Sequence, residues 1–130
     1  MVAKNPYASY TSNRINTVSS EELTLMLYEG ALKFTNQAVT AIENKDFEKA
    51  NDLILRVEDI IREFQITLDH SYEISKYFDS MYDYIYRLLV DANIAKDVDI
   101  LGEVKEYLRE FRDSWKEAMR LVKMNVSHAN

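Results

Sequence analysis

The chain has 130 residues, 47% hydrophobic and 29% charged, with a formal net charge of −6, two glycines, one proline and no cysteine. That length suits one domain with its own core, and so little turn punctuation argues for helices joined by short loops rather than a β fold. The acidic balance weighs against nucleic-acid binding, the missing cysteines exclude disulfides and thiolate chemistry, and no apolar run is long enough to cross a bilayer.

Residues 1–18 are rich in Ser, Thr and Asn and show no periodicity, so they read as an extended N-terminal tail holding Tyr7 and Tyr10. They carry Lys4 and Arg14 and no carboxylate, which leaves a net −8 for the remainder. The opening residues are too polar for a secretory signal, and the expected location is the cytoplasm.

The first helix is expected to start at Ser19 or Ser20, where Ser19 and Glu22 have the spacing of a capping box. One apolar stripe runs Leu23, Leu27, Gly30, Ala31, Phe34, Ala38, Ala41 and Ile42. A second stripe of Leu25, Tyr28, Leu32 and Val39 is expected on nearly the opposite face, as surplus surface for a partner or a covering tail. Gly30 in a helix interior costs about 1 kcal/mol relative to Ala, which suggests close approach of another backbone.

Asn44-Lys45-Asp46 breaks the pattern, and Asp46 can cap a second helix over about 47–69. There Phe47, Ala50, Ile54, Val57, Ile61, Phe64 and Leu68 alternate three and four apart, the spacing that packs against near-antiparallel neighbours. A loop is expected around Asp69-His70-Ser71. The third helix, about 73–94, is expected to turn Ile74, Phe78, Met81, Ile85, Leu88, Leu89 and Ala92 inward. After Ala95-Lys96-Asp97 a fourth helix repeats Leu101, Val104, Leu108, Phe111, Trp115, Ala118 and Val122, and residues 125–130 read as a polar C-terminal tail. Short loops force neighbours antiparallel, so the expected fold is all-α, an up-down four-helix bundle over 19–124.

Candidate chemistry is sparse. A di-metal bundle site takes two Glu-x-x-His pairs and two more inward carboxylates, but His70 follows Thr67 and His128 follows Asn125 at that spacing. Ser114 has no histidine in reach, and two isolated glycines cannot form a phosphate loop. No catalytic residue, metal or cofactor is expected, and the chain does not read as an enzyme. Five of the nine tyrosines, Tyr72, Tyr77, Tyr82, Tyr84 and Tyr86, fall within fifteen residues of the third helix. Tyrosine joins a large apolar ring to a polar tip, so this cluster fits either helix seams or a binding surface.

Four segments then carry a resemblance. Asn5-Pro6-Tyr7-x-x-Tyr10 followed by Glu22-Leu23-Thr24-Leu25-Met26-Leu27-Tyr28-x-Gly30 resembles the N-terminal part of the flagellin-specific export chaperones of bacterial flagella. Met81-Tyr82-Asp83-Tyr84-Ile85-Tyr86-Arg87-x-Leu89-Val90-x-Ala92-Asn93 is similar to that family's third-helix signature, and Phe111-Arg112-Asp113-x-Trp115 to its fourth. The resemblance implies a cytoplasmic chaperone that binds the disordered C-terminal segment of flagellin, prevents premature polymerisation and delivers it to the flagellar export gate. It further implies that the tail, at Tyr7 and Tyr10, docks on the cytosolic domain of the gate and occludes the client groove. The expected partner-binding set is Tyr7, Tyr10, Leu25, Tyr28, Leu32, Val39, Tyr77, Tyr82, Tyr84 and Tyr86. The alternative is a non-enzymatic homodimeric adaptor whose extra apolar stripe is an oligomer interface.

Overall fold

The computed structural model describes the backbone of residues 19–129 and the side chains of residues 19–125. Four helices follow in order: α1 (Ser20–Glu43), α2 (Phe47–Thr67), α3 (Ser75–Ala95) and α4 (Val98–Ala129). Each packs on the next, and α4 packs back on α1, so the four close into an antiparallel ring. No strand occurs among the described residues. Tyr7 and Tyr10 lie outside the described residues, as does the rest of segment 1–18.

Local chemistry sets the breaks where the sequence places them. The Ser19 hydroxyl accepts from the Glu22 amide at 3.1 Å, and the Asp46 carboxylate accepts from the Lys49 amide at 3.2 Å. The Asp97 carboxylate accepts from Asp99 and Ile100 at 2.8 and 3.4 Å at the start of α4. These bonds satisfy amides that the first turn of a helix leaves without carbonyl partners. At the other end of α1, the amides of Lys45 and Asp46 return to the carbonyls of Ile42 and Ala41 at 2.9 and 2.8 Å. This closure puts Lys45 at φ 62°, a conformation glycine adopts without penalty. Lys45→Gly is therefore expected to stabilise the fold by about 1 kcal/mol, read as a raised thermal midpoint.

The core takes a different phase from the expected one in two helices. In α3 the fully covered positions are Ser75, Tyr82, Ile85, Leu89 and Ala92, while Ile74 is 60% exposed. The stripe therefore runs 75-78-82-85-89-92, rotated from the expected one, which has Ile74 and Met81 in place of Ser75 and Tyr82. In α1 the buried set is Tyr28, Ala31, Leu32, Thr35, Ala38 and Ala41. The two stripes there are the margins of one broad face centred on Ala31 and Thr35, with the Thr35 hydroxyl bonded to the Ala31 carbonyl at 2.7 Å. A face that wide is covered because α1 lies against both α2 and α4.

The stripe of α2 is met except at its ends, where Phe47 is 47% exposed and Leu68 half-buried. In α4, Leu101, Val104 and Leu108 are fully buried, and Phe111 and Trp115 pack partly against the core. Ala118 and Val122 are exposed, contrary to expectation. The reason is length: α4 has 32 residues against 24, 21 and 21 for the others, and its helix continues to Ala129 rather than stopping near Met124.

Candidate functional site

The end of the bundle where α1 and α3 begin and α2 finishes is built around aromatic rings, one from each helix. Phe64 of α2 lies with its centroid 4.4 Å from Tyr28 of α1 and 5.6 Å from Tyr82 of α3. Phe111 of α4 stands 6.5 and 5.7 Å from the same two rings. At the middle of this layer the Tyr28 and Tyr82 hydroxyls share a buried hydrogen bond of 2.9 Å across the bundle diagonal. Burial is the main cause that pushes both phenols above their ordinary range, with the neighbouring hydroxyl adding to the effect on Tyr28. Neither ionises near neutrality, so the pair is a fixed polar link inside an apolar layer.

This placement corrects the expectation that the second stripe of α1 stands open. Tyr28 and Leu32 are 5% and 6% exposed and belong to the core, Val39 packs partly against it, and Leu25 is half-buried. Tyr82 is likewise a core residue at 5% exposure. The remaining third-helix tyrosines reach the surface. Tyr77 is 55% exposed, with its ring edge on Phe78 at 5.5 Å. Tyr84 donates its hydroxyl to Glu103 of α4 at 2.7 Å and meets the Tyr107 ring edge-on at 5.7 Å. Tyr86 lies beneath the Arg62 guanidinium, 3.6 Å from ring centroid to carbon, a cation–π contact that joins α2 to α3.

Around Tyr86 the α2–α3 seam is polar. Gln65 donates to Asp83 at 2.8 Å and to Asp79 at 3.2 Å, while Arg62 reaches Gln65 at 2.6 Å. Glu58, only 7% exposed, sits in this seam. Burial raises its carboxyl above the ordinary range, and the Tyr86 hydroxyl beside it pulls the other way. A carboxyl raised in the folded state holds its proton better there than in the unfolded chain. Its contribution is full at acid pH and is lost as pH rises through the folded value. Glu58→Gln is accordingly expected to raise the thermal midpoint at pH 7 and to have a smaller effect near pH 4, as calorimetry at both values would show.

Large apolar side chains are displayed unevenly. Ile66, Tyr72, Ile74 and Tyr77 are 75%, 65%, 60% and 55% exposed around the α2–α3 connection. Leu121, Val122 and Met124, at 47%, 62% and 42%, follow on the last turns of α4, and antiparallel packing puts both groups at the same end of the bundle. Ile66, Leu121 and Met124 stand outside every stripe expected from the sequence, whereas Ile74 and Val122 belong to stripes expected to face inward. Ile74 was assigned inward, and nothing in the α4 pattern marks where its neighbours stop. Among the described residues, no three His, Cys, Asp or Glu side chains converge as a metal site requires. No described helix is long and apolar enough to cross a membrane.

Fold and surface together define a class: an antiparallel four-helix bundle with a filled aromatic core and most of its exposed large apolar side chains at one end, with Phe47, Leu55 and Ile94 exposed elsewhere. The model of the family described as flagellar protein FliS matches residues 3–122. Over 120 residues the chain is 47% identical to the flagellar secretion chaperone FliS of Bacillus subtilis (strain 168), spanning 92% of this chain and 90% of that one. It is 32% identical over 113 residues to the protein of the same name from Campylobacter jejuni, spanning 85% and 88%. With that of Escherichia coli (strain K12) it shares 25% identity over 108 residues, spanning 81% and 79%. The chain belongs to the FliS family of flagellar secretion chaperones.

Proposed function

We propose that the chain is a cytoplasmic chaperone that holds unassembled flagellin by its disordered C-terminal segment and hands it to the flagellar export gate. Family membership supports the chaperone class, and one structural observation carries the holding role. Four large apolar side chains stand open within twelve residues, at Ile66, Tyr72, Ile74 and Tyr77, beside a core that is already filled. A small protein that leaves such a patch open marks a place where another polypeptide binds. The client-contacting set is then Tyr77 at that patch, with the half-covered Leu25, Val39, Tyr84 and Tyr86 elsewhere on the bundle surface. Tyr28, Leu32 and Tyr82 act from beneath, by fixing the shape of that surface. Tyr7 and Tyr10 are assigned to the gate, following the resemblance in the N-terminal segment.

The mechanism is mass action without a chemical step. A disordered segment accepts an ordering cost on binding, and its polymerisation-prone apolar face stays hidden until release. Calorimetry with a synthetic peptide of the flagellin C-terminal segment tests this. Ile74→Asp with Tyr77→Asp, both exposed positions, is expected to weaken binding by tenfold or more, roughly 1.4 kcal/mol, while the thermal midpoint holds. Unchanged affinity would remove this patch from the client site.

A further inference from the structure

The seam between α2 and α3 holds a ladder that a reading of apolar stripes passes over. Asn93 donates to Asn51 at 2.8 Å, the Tyr86 hydroxyl donates to Glu58, and Gln65 donates to Asp79 at 3.2 Å. On α2 these positions are 51, 58 and 65, and on α3 they return as 93, 86 and 79, each a heptad apart. A heptad is two helical turns, about 10 Å, so the polar rungs stand one above another along two antiparallel helices. A slip of one turn would break every rung.

The middle rung is unlike the other two. Glu58 is 7% exposed, and among the described residues it is the one buried carboxylate. The Arg62 guanidinium, one turn on, is occupied elsewhere: it lies over the Tyr86 ring at 3.6 Å and pairs with Asp83 of α3 at 3.5 Å. Of the groups acting on Glu58, Asp59 and Arg62 come from α2 and the Tyr86 hydroxyl from α3, with none from α1 or α4. A carboxylate enclosed there has one phenol donor in place of its hydration, so its ionised form is far costlier than its acid form.

The two halves of the seam are secured differently. Toward the aromatic layer, Phe64 stacks 5.6 Å from Tyr82, and Gln65 and Arg62 both reach Asp83. Toward the other end, the Asn51–Asn93 rung lies among Phe47, Leu55 and Ile94, which are 47%, 44% and 80% exposed. We infer that Glu58 makes this second half a pH-sensitive clasp: with its proton on, α3 lies closed on α2 over residues 86–95, and as the proton leaves that stretch parts from α2 more often. Burial is the main cause that holds the closed-state carboxyl above its ordinary range, against the pull of Tyr86. Opening returns it to water and to that range. The closed form is therefore favoured in acid and loses its advantage as pH rises through the closed-state value. The change is local, because the Trp115 bond to the Glu21 carbonyl and the short turns within each hairpin stay in place. It belongs to the bundle itself and does not depend on the client being flagellin.

Amide hydrogen exchange of the full chain from about pH 5 to about pH 8 tests the clasp. Protection over residues 86–95 is expected to fall with rising pH by more than chemical exchange accounts for, while protection over α1 does not. Glu58→Gln keeps the shape and the acceptor without the charge, and is expected to remove this excess loss. Tyr86→Phe keeps the ring under Arg62 but removes the donor that favours the ionised carboxyl, so it is expected to carry the loss on to higher pH. An excess that Glu58→Gln retains overturns the proposal, as does no excess in the unaltered chain or a loss spread evenly over all four helices. If Glu58→Gln does not fold, Tyr86→Phe decides, and a loss that ends at the same or lower pH than in the unaltered chain overturns it.

Discussion

Phe64→Ala is expected to lower the free energy of unfolding by about 3–5 kcal/mol. Phe64 is 5% exposed and lies within stacking distance of both Tyr28 and Tyr82, so truncation removes the ring and leaves a cavity that rigid neighbours cannot fill. Typical domains hold only about 5–15 kcal/mol in total, so this one change would bring the bundle close to unfolding at body temperature. Urea denaturation would show it as a lower midpoint at an unchanged slope. A loss under about 1 kcal/mol would mean that the rings are neighbours without being a packed layer.

The second large effect is expected from the hydroxyl pair. Tyr28→Phe removes one phenol oxygen and leaves the Tyr82 hydroxyl buried without its partner, a cost of about 1–3 kcal/mol. Tyr82→Phe is expected to cost as much. The double substitution should cost distinctly less than the two single losses added, because no orphaned hydroxyl then remains in the layer. A double-mutant cycle in denaturant reads this coupling directly. Strict additivity would show that each hydroxyl finds water or another acceptor by itself.

The chain disclosed its breaks more plainly than the rotation of its helices. Ser19, Asp46 and Asp97 are caps whose chemistry is local, and each acts where its spacing implies. The α2 stripe is unambiguous because its middle positions are aliphatic or aromatic without exception. In α1 and α3 the centre of the buried face includes Ser75 together with Thr35, Tyr28 and Tyr82, whose hydroxyls are bonded within the fold. A pattern built on apolar residues alone passes over them and displaces the face sideways. That displacement turned two margins of one face into two separate stripes, and so promised an open surface at Tyr28 and Leu32 that the ring of helices closes. The surface that does stand open was legible only at Tyr72 and Tyr77. Ile74 and Val122 continue an inward pattern past the point where there is an inside, and that point depends on how far the neighbouring helices reach.

The order of helices around the ring also bears on how the bundle assembles. Three residues, 44–46, join α1 to α2 and two, 96–97, join α3 to α4, so each hairpin can form locally in microseconds. The α1–α4 seam is different, because its two sides are distant along the chain. The bond from Trp115 to the Glu21 carbonyl spans 94 positions, and closing a loop of that size is the slow entropic step. The indole on that seam therefore makes a built-in clock hand, and stopped-flow emission would time the moment at which two finished hairpins become one ring.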